Sequence, residues 1–232
     1  VIGASSGIGR ELEKVLSYND YIVGLAARRV DLLSTLQKDI TAKTYIKRID
    51  VSNTEEAKGL LEELVSEMGG MDLVVISSGV GFINPDLDWE KEKETIEVNV
   101  MGFMAMANVA FKHFLKQGSG HIVGISSIAA LRGGGESPAY NASKAFVSNY
   151  LEGLRCKAIK MGIPITITDI KPGFVNTAMA KGGGLFWVAP VEKAAWQIWK
   201  AINNKRKHAY ITKRWRLIAW LLKIMPDWIY NR

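Results

Sequence analysis

The chain has 232 residues, 48% of them hydrophobic and 23% charged, with a formal net charge of +7, three histidines and one cysteine. That length and apolar content fill the core of one domain, and no Pro/Gly/Ser-rich linker or repeat divides it. The lone Cys156 excludes an internal disulfide and, with no signal peptide in the sequence, points to a reducing, cytoplasmic setting.

Val1-Ile2 runs directly into Gly3-Ala4-Ser5-Ser6-Gly7-Ile8-Gly9 and then into an amphipathic stretch with apolar Ile8, Leu12, Val15 and Leu16. This reads as strand, tight glycine turn, helix. Glycines accept positive φ and let a ligand approach the backbone, and the N–H groups of the following helix present the positive end of its dipole to an anion. The spacing is G-x-x-x-G-x-G and not the commoner G-x-G-x-x-G, so by itself a plain glycine turn remains the alternative. With two residues before the turn and no initiator methionine, further native residues are expected ahead of Val1.

Short, β-branched apolar runs follow at 21–27, 44–49, 73–76, 121–125 and 163–170, with helical patterns between them. Such alternation predicts an α/β fold, a parallel sheet covered on both faces. The first of these runs ends in Ala26-Ala27-Arg28-Arg29. The second leads into Asp50-Val51-Ser52-Asn53-Thr54, where Ser52, Asn53 or Thr54 can cap the helix TEEAKGLLEELVSEM.

The run SPAYNASKAFVSNYLEGL holds Tyr140 and Lys144 four residues apart, and Ser127 lies thirteen residues upstream of the tyrosine. On a helix the i, i+4 spacing puts phenol and ammonium on one face. An unperturbed tyrosine titrates near ~10, and an adjacent cation favours the phenolate, which makes reversible proton transfer accessible. A nearby serine hydroxyl can hold a substrate oxygen. Cys156, on the same helix, is expected to be a buried, inert thiol. His113, His121 and His208 are scattered without metal-ligand spacing, and no metal is expected.

In this order, the glycine turn, Asp50-Val51, Ser78-Gly79, Asn99, Ser127, Tyr140-x-x-x-Lys144 and Pro172-Gly173-Phe174-Val175-Asn176-Thr177 resemble the compact type of the short-chain dehydrogenase/reductase family. The resemblance covers nearly the whole chain. It implies a Rossmann-like doubly wound sheet, reversible hydride transfer between a nicotinamide dinucleotide and a carbonyl or alcohol, and a homodimer or homotetramer. The turn Gly3, Ser5, Ser6, Gly7, Ile8 and Gly9 would then meet the pyrophosphate. An acidic residue at the tip of the 21–27 run would hydrogen-bond the adenine ribose; Ala27 stands there, followed by Arg28 and Arg29. A guanidinium grips a phosphate bidentately, so the chemistry favours NADP(H), with Arg28 as first choice, against a merely solvated arginine pair.

By resemblance, Asp50 accepts from the adenine amino group and Val51 packs on the ring. The family's usual Asn-Ala-Gly reads Ser77-Ser78-Gly79 here, so the asparagine's bridging hydrogen bonds need a shorter side chain or water. Asn99 would hold a proton-relay water through its backbone carbonyl. Ser127 and Tyr140 would bind the substrate oxygen, with Ser126 a rival serine, and Lys144 would also reach the nicotinamide ribose. Pro172 and Gly173 would turn beneath the nicotinamide, and Val175 and Thr177 would hold its carboxamide. The rival to an enzyme is a dinucleotide-binding regulatory or scaffolding protein without turnover.

Residues 178–190, AMAKGGGLFWVAP, take the place of the family's substrate lid, which Leu185, Phe186 and Trp187 would make apolar; a loop packed on its own domain is the alternative. From Lys200 to Arg232 nine Lys or Arg stand against one acidic residue, so the chain's basicity is local to this stretch. Six of the seven tryptophans lie between Trp187 and the end. We therefore expect a catalytic dinucleotide-binding domain over 1–212 and a basic, Trp-rich helical tail over 213–232. The tail's apolar run is too short to span a bilayer and fits peripheral membrane contact, or packing on its own domain or a twin subunit. No nucleic-acid fold motif accompanies the basic residues, so nucleic acid is not an expected partner.

Overall fold

The computed structural model of the chain describes residues 1–180 and 186–230. Its centre is a parallel sheet. Ile2 bridges Ala26 on one side and Ile76 on the other, so this short amino-terminal segment joins two flanks. On one flank lie β1 (Val23–Ala27) and β2 (Thr44–Arg48); on the other, in spatial order, lie β3 (Leu73–Ile76), β4 (Gly120–Ile125), β5 (Ile165–Pro172) and β6 (His208–Ile211). The strand order reverses at Ile2, and a doubly wound sheet opens its crevice at such a point, beyond the carboxyl ends of the strands.

The strands form where the sequence is continuously apolar. All five residues of β1 are buried, as are the last five of β4, because helices cover both faces. β2, TYIKR, is the edge strand and is only partly buried. One strand escapes the sequence reading: β6 is four residues, HAYI, inside the basic segment, and forms by pairing His208 with Asp169 through Ile211 with Pro172.

Helices α3 (Thr54–Met68), α5 (Phe103–Gln117) and α6 (Pro138–Lys160) cover one face, where Leu61, Phe103, Phe114 and Leu151 meet Ile122. On the other face α1 (Gly7–Tyr18), α2 (Val30–Lys38) and α7 (Val191–Asn203) bring Leu12, Leu33 and Ile198 against Leu25 and Val123. Between β3 and α5, α4 (Trp89–Ile96) widens into a π-helical turn, Glu97–Gly102. The tail forms α8 (Trp215–Ile224) and the single turn α9 (Asp227–Tyr230). Among the described residues no helix is long and apolar enough to cross a membrane.

One expectation about a side chain changes. Cys156 is exposed, because it lies on the outward face of α6 while Leu151, Leu154 and Ala158 take the buried positions. His121 is a core residue: its Nε2 lies 2.8 Å from the Thr168 hydroxyl, and burial lowers its pKa to about 4.

Candidate active site

The glycine turn is shaped by two close approaches. Gly3 has φ of 93° and sits so close to the next strand end that a Cβ there would lie 2.5 Å from the Ser78 nitrogen. A Cβ on Gly9 would lie 2.3 Å from the Gly3 oxygen, so α1 can start directly above the turn only with glycine at that position. Ser6 makes no side-chain cap bond and the first turn of α1 carries no acidic residue, which leaves the helix's positive end uncompensated.

Arg29 spans this turn, donating to Ser5 Oγ and to Ser6 Oγ at 2.9 Å each. The sequence alone favours Arg28. In the structure both arginines are exposed; Arg28 forms no hydrogen bond with a described residue, while Arg29 holds its guanidinium between two hydroxyls with no carboxylate among the described residues to neutralise it. A dinucleotide's phosphates fit this cradle: an open helix end, an unneutralised guanidinium and two hydroxyls within its reach. Ser78 Oγ, buried at the end of β3 without a hydrogen-bond partner, adds an orphaned polar atom on the same rim.

Asp50 and Val51 follow β2. Asp50 Oδ1 accepts from the Ser52 backbone nitrogen at 3.1 Å and from its hydroxyl at 2.7 Å, so the carboxylate shapes the turn, and the cap of α3 is Asn53. Val51 is 5% exposed and lies against the π-turn; a Cβ on Gly102 would come within 2.7 Å of the Val51 oxygen.

Asn99 sits in that π-turn, 1% exposed. Its amide works in both directions on Val80, accepting from the backbone nitrogen and donating to the oxygen at 2.8 Å each, and donates to Ser143 Oγ at 3.0 Å. The side chain thus pins the loop after β3, a task that Ser77, in the place of the family's asparagine, leaves open. π-Turns inside α-helices concentrate at functional sites.

Ser127 caps the 3-10 turn Ile128–Leu131 after β4, and its oxygen accepts from the Ala129 nitrogen at 3.1 Å, leaving its own proton to donate. Ser126 points elsewhere: it hydrogen-bonds to Asp169 and to the Ile170 oxygen, inside a buried group with Ser148 and Lys171. Of the two serines beyond the end of β4, Ser126 is thus committed to the buried group, while Ser127 lies beside Tyr140.

Tyr140 lies in the first turn of α6, whose sequence starts Pro138-Ala139-Tyr140 with no acidic residue in that turn. Lys144 is 5% exposed; its Nζ donates to the Ile125 oxygen at 3.1 Å and lies 5.7 Å from the centre of the tyrosine ring. Burial lowers the lysine to about 8. Burial also holds the Tyr140 phenol above its ordinary value, while the Ser127 hydroxyl works in the other direction. The expectation that the neighbouring lysine charge lowers the phenol is not met: burial is the larger influence on Tyr140, and the group that opposes it is the Ser127 hydroxyl.

Sequence reasoning misses two supports. Gly81 leaves room for the phenol, since a Cβ there would lie 3.0 Å from Tyr140 Cδ2. Ser143 donates to the Tyr140 backbone carbonyl at 2.7 Å and accepts from the Asn99 amide; its position one residue before Lys144 was the available signal, and Gly81 had none.

On the far side, Pro172 ends β5 and the Gly173 nitrogen donates to the Ile211 oxygen at 2.6 Å. Val175 is buried and bridges Ala189, so both ends of the expected lid are tied together. Thr177 Cγ2 would be 3.3 Å from a Cβ on Gly7, which brings this segment over the glycine turn. Of the lid, Gly182, Gly183, Gly184 and Leu185 lie outside the described residues. Phe186 and Trp187 pack on Trp215, with ring centres 5.2 and 6.2 Å away. A cavity of about 530 Å³ lies at the amino ends of the strands around Glu13, Ile22 and Met71, at the opposite end of the sheet from this constellation.

A doubly wound sheet with Ser, Tyr and Lys gathered at its carboxyl edge defines a class. Residues 1–184 match the family model for short chain dehydrogenase, and the chain belongs to that family of oxidoreductases. An "uncharacterized oxidoreductase" of Myxococcus xanthus is 35% identical over 77% of this chain and 72% of its own. Two solved structures share the fold: a short chain dehydrogenase/reductase from Burkholderia phymatum in complex with NAD (TM-score 0.83, 21% identity, 95% of this chain and 90% of that one), and a short-chain dehydrogenase from Sphingobium yanoikuyae in complex with NADPH (TM-score 0.81, 19% identity, 98% and 95%).

Proposed function

We propose that the protein is an NADP(H)-dependent reductase or dehydrogenase that interconverts a carbonyl and an alcohol. The observation that carries this reading is the convergence of Ser127, Tyr140 and Lys144 beside a cradle that the guanidinium of Arg29, with no carboxylate partner among the described residues, bridges through Ser5 and Ser6. A protein that only bound dinucleotide would not need the phenol. When bound, the nicotinamide dinucleotide supplies or takes the hydride.

The chain's own residues do the rest. Gly3, Gly7 and the open end of α1 receive the phosphates, with Ser5, Ser6 and Arg29 at the 2′-phosphate and Arg28 beside them. Ser127 donates its free proton to the substrate oxygen, and Tyr140 gives that oxygen a proton in the reductive direction and takes it back in the other. Lys144, fixed by the Ile125 carbonyl, orients the ribose and favours the phenolate. Asn99, through Val80 and Ser143, keeps the loop after β3 and the helix of Tyr140 in register. Phe186, Trp187 and Met179 give the substrate side an apolar wall, which favours an apolar or lipid-linked substrate.

Purified protein incubated with NADPH or NADH and a panel of ketones, ketoacyl thioesters, keto sugars and lipid-linked ketones tests the reading. Expected is turnover with NADPH on at least one apolar ketone, reduced about 10²–10⁴-fold in Tyr140→Phe with dinucleotide binding intact. Full turnover in Tyr140→Phe, or a preference for NADH, overturns the corresponding assignment.

A further inference from the structure

α8 is apolar on two opposite sides. Trp215 and Ala219, 2% exposed each, face the domain. Leu217, Trp220, Leu221 and Ile224, spaced i, i+3, i+4, i+7, are 66, 61, 44 and 56% exposed. An apolar stripe of this width normally has a cover, and among the described residues the outer one has none. Lys213, Arg214, Arg216 and Lys223 are exposed around it, and residues 213–224 contain no acidic side chain.

The helix is held firmly. Arg132, just past Ser127, donates to the Leu222 and Met225 oxygens at 3.3 and 2.8 Å, pairs with Asp227 at 2.6 Å and stacks on Tyr230. Tyr230 in turn donates to the Gly133 oxygen at 2.6 Å. Arg214 donates to the Trp187 oxygen at 3.0 Å and lies over its ring, which links the helix to the lid, where Phe186, Trp187 and Val188 are 47, 43 and 38% exposed.

We propose that the outer face of α8, continuous with the aromatic end of the lid, docks in the plane of an anionic phospholipid surface. The ten residues of α8 span about 15 Å, half of a bilayer's hydrocarbon core, so the helix lies in the interface and does not cross it. A second copy is the other candidate cover. A two-fold contact would set the same stripe against itself and bring four cations against four with no carboxylate between them. Anionic headgroups supply the missing charge, and the interface is where an indole such as that of Trp220 settles. Because Arg132 ties α8 to the turn after Ser127, docking also sets the lid side of the catalytic mouth toward the lipid.

The test is co-sedimentation of the full chain with vesicles of phosphatidylcholine alone and with phosphatidylserine added, alongside sedimentation velocity without lipid. It needs no turnover, so it stands apart from the reductase reading. Binding is expected on the anionic vesicles at low salt, weakened by salt, and lowered on the order of tenfold or more in Arg216→Glu/Lys223→Glu. Leu217→Ser/Trp220→Ser should lower it likewise with an unchanged melting temperature; if that variant melts early, the charge pair decides. Absence of binding at low salt overturns the proposal, as does binding that neither variant weakens, or a dimer that both variants dissolve while intact protein ignores vesicles.

Discussion

Lys144 is buried with its ammonium on a carbonyl, and that makes it a residue with a pH signature. Its folded pKa, about 8, lies below the ordinary value near ~10.4, so the unfolded chain binds the extra proton between those limits. Stability from this group is therefore full above ~10.4 and lost as pH falls through about 8. Lys144→Met removes the term. Thermal melts of both proteins should show the wild type gaining on the variant as pH rises from 8 to 10; parallel curves would rule the burial effect out. The arginine pair separates in the same residue-by-residue way. Arg29→Ala should weaken NADPH binding by about 1–3 kcal/mol, leaving NADH nearly unchanged, and Arg28→Ala should do less, as titration of both dinucleotides reads out. Adjacent in sequence, the two differ only in where the end of β1 and the cap of α2 send them, which no spacing rule reveals.

At the scale of elements, the π-turn between α4 and α5 is the piece that the sequence does not announce. EVNVMG reads as ordinary helix, and the resemblance alone singles out Asn99. The widened turn buries the Asn99 amide against Val80, and it brings Gly102 onto the Val51 backbone. Gly102→Ala has no flexible neighbour to displace, since the clash is with the Val51 carbonyl and with the near, β-branched end of its side chain. We expect a loss of about 1–3 kcal/mol, or roughly 2–4 °C in melting temperature for each kcal/mol, together with weaker dinucleotide binding from a displaced Val51. A variant that melts like the wild type would show that the turn can relax. By contrast, α1, α3, α6 and the strands β1 to β5 were legible within a few residues, because their apolar period is set by burial on the sheet.

For the whole molecule the tail is as much a part of the core as a terminal extension. A Cβ on Gly173 would fall 2.0 Å from Trp215 Cε2, so the indole lies flat on the backbone at the end of β5, with Phe174 and Phe186 closing around it. Trp215→Ala should cost about 3–5 kcal/mol, measured by denaturant titration, and should loosen the lid that packs on it. A cost under about 1 kcal/mol would mean that the site collapses to fill the space.

What the sequence determined by itself was the alternation of strands and helices, the glycine turn, and the placing of Tyr140 and Lys144 on one helix, because each depends on short-range periodicity or on fixed spacing along one element, whereas Ser127, on a separate turn, was singled out by the family resemblance. The tertiary structure alone decided which arginine bonds to Ser5 and Ser6, that Ser126 is bound into the buried group with Asp169, and that burial raises Tyr140. It also decided that β6 exists and that one face of α8 is core while the other is bare. Those outcomes depend on contacts between residues far apart in the chain, and on how much water each group loses when the fold closes around it.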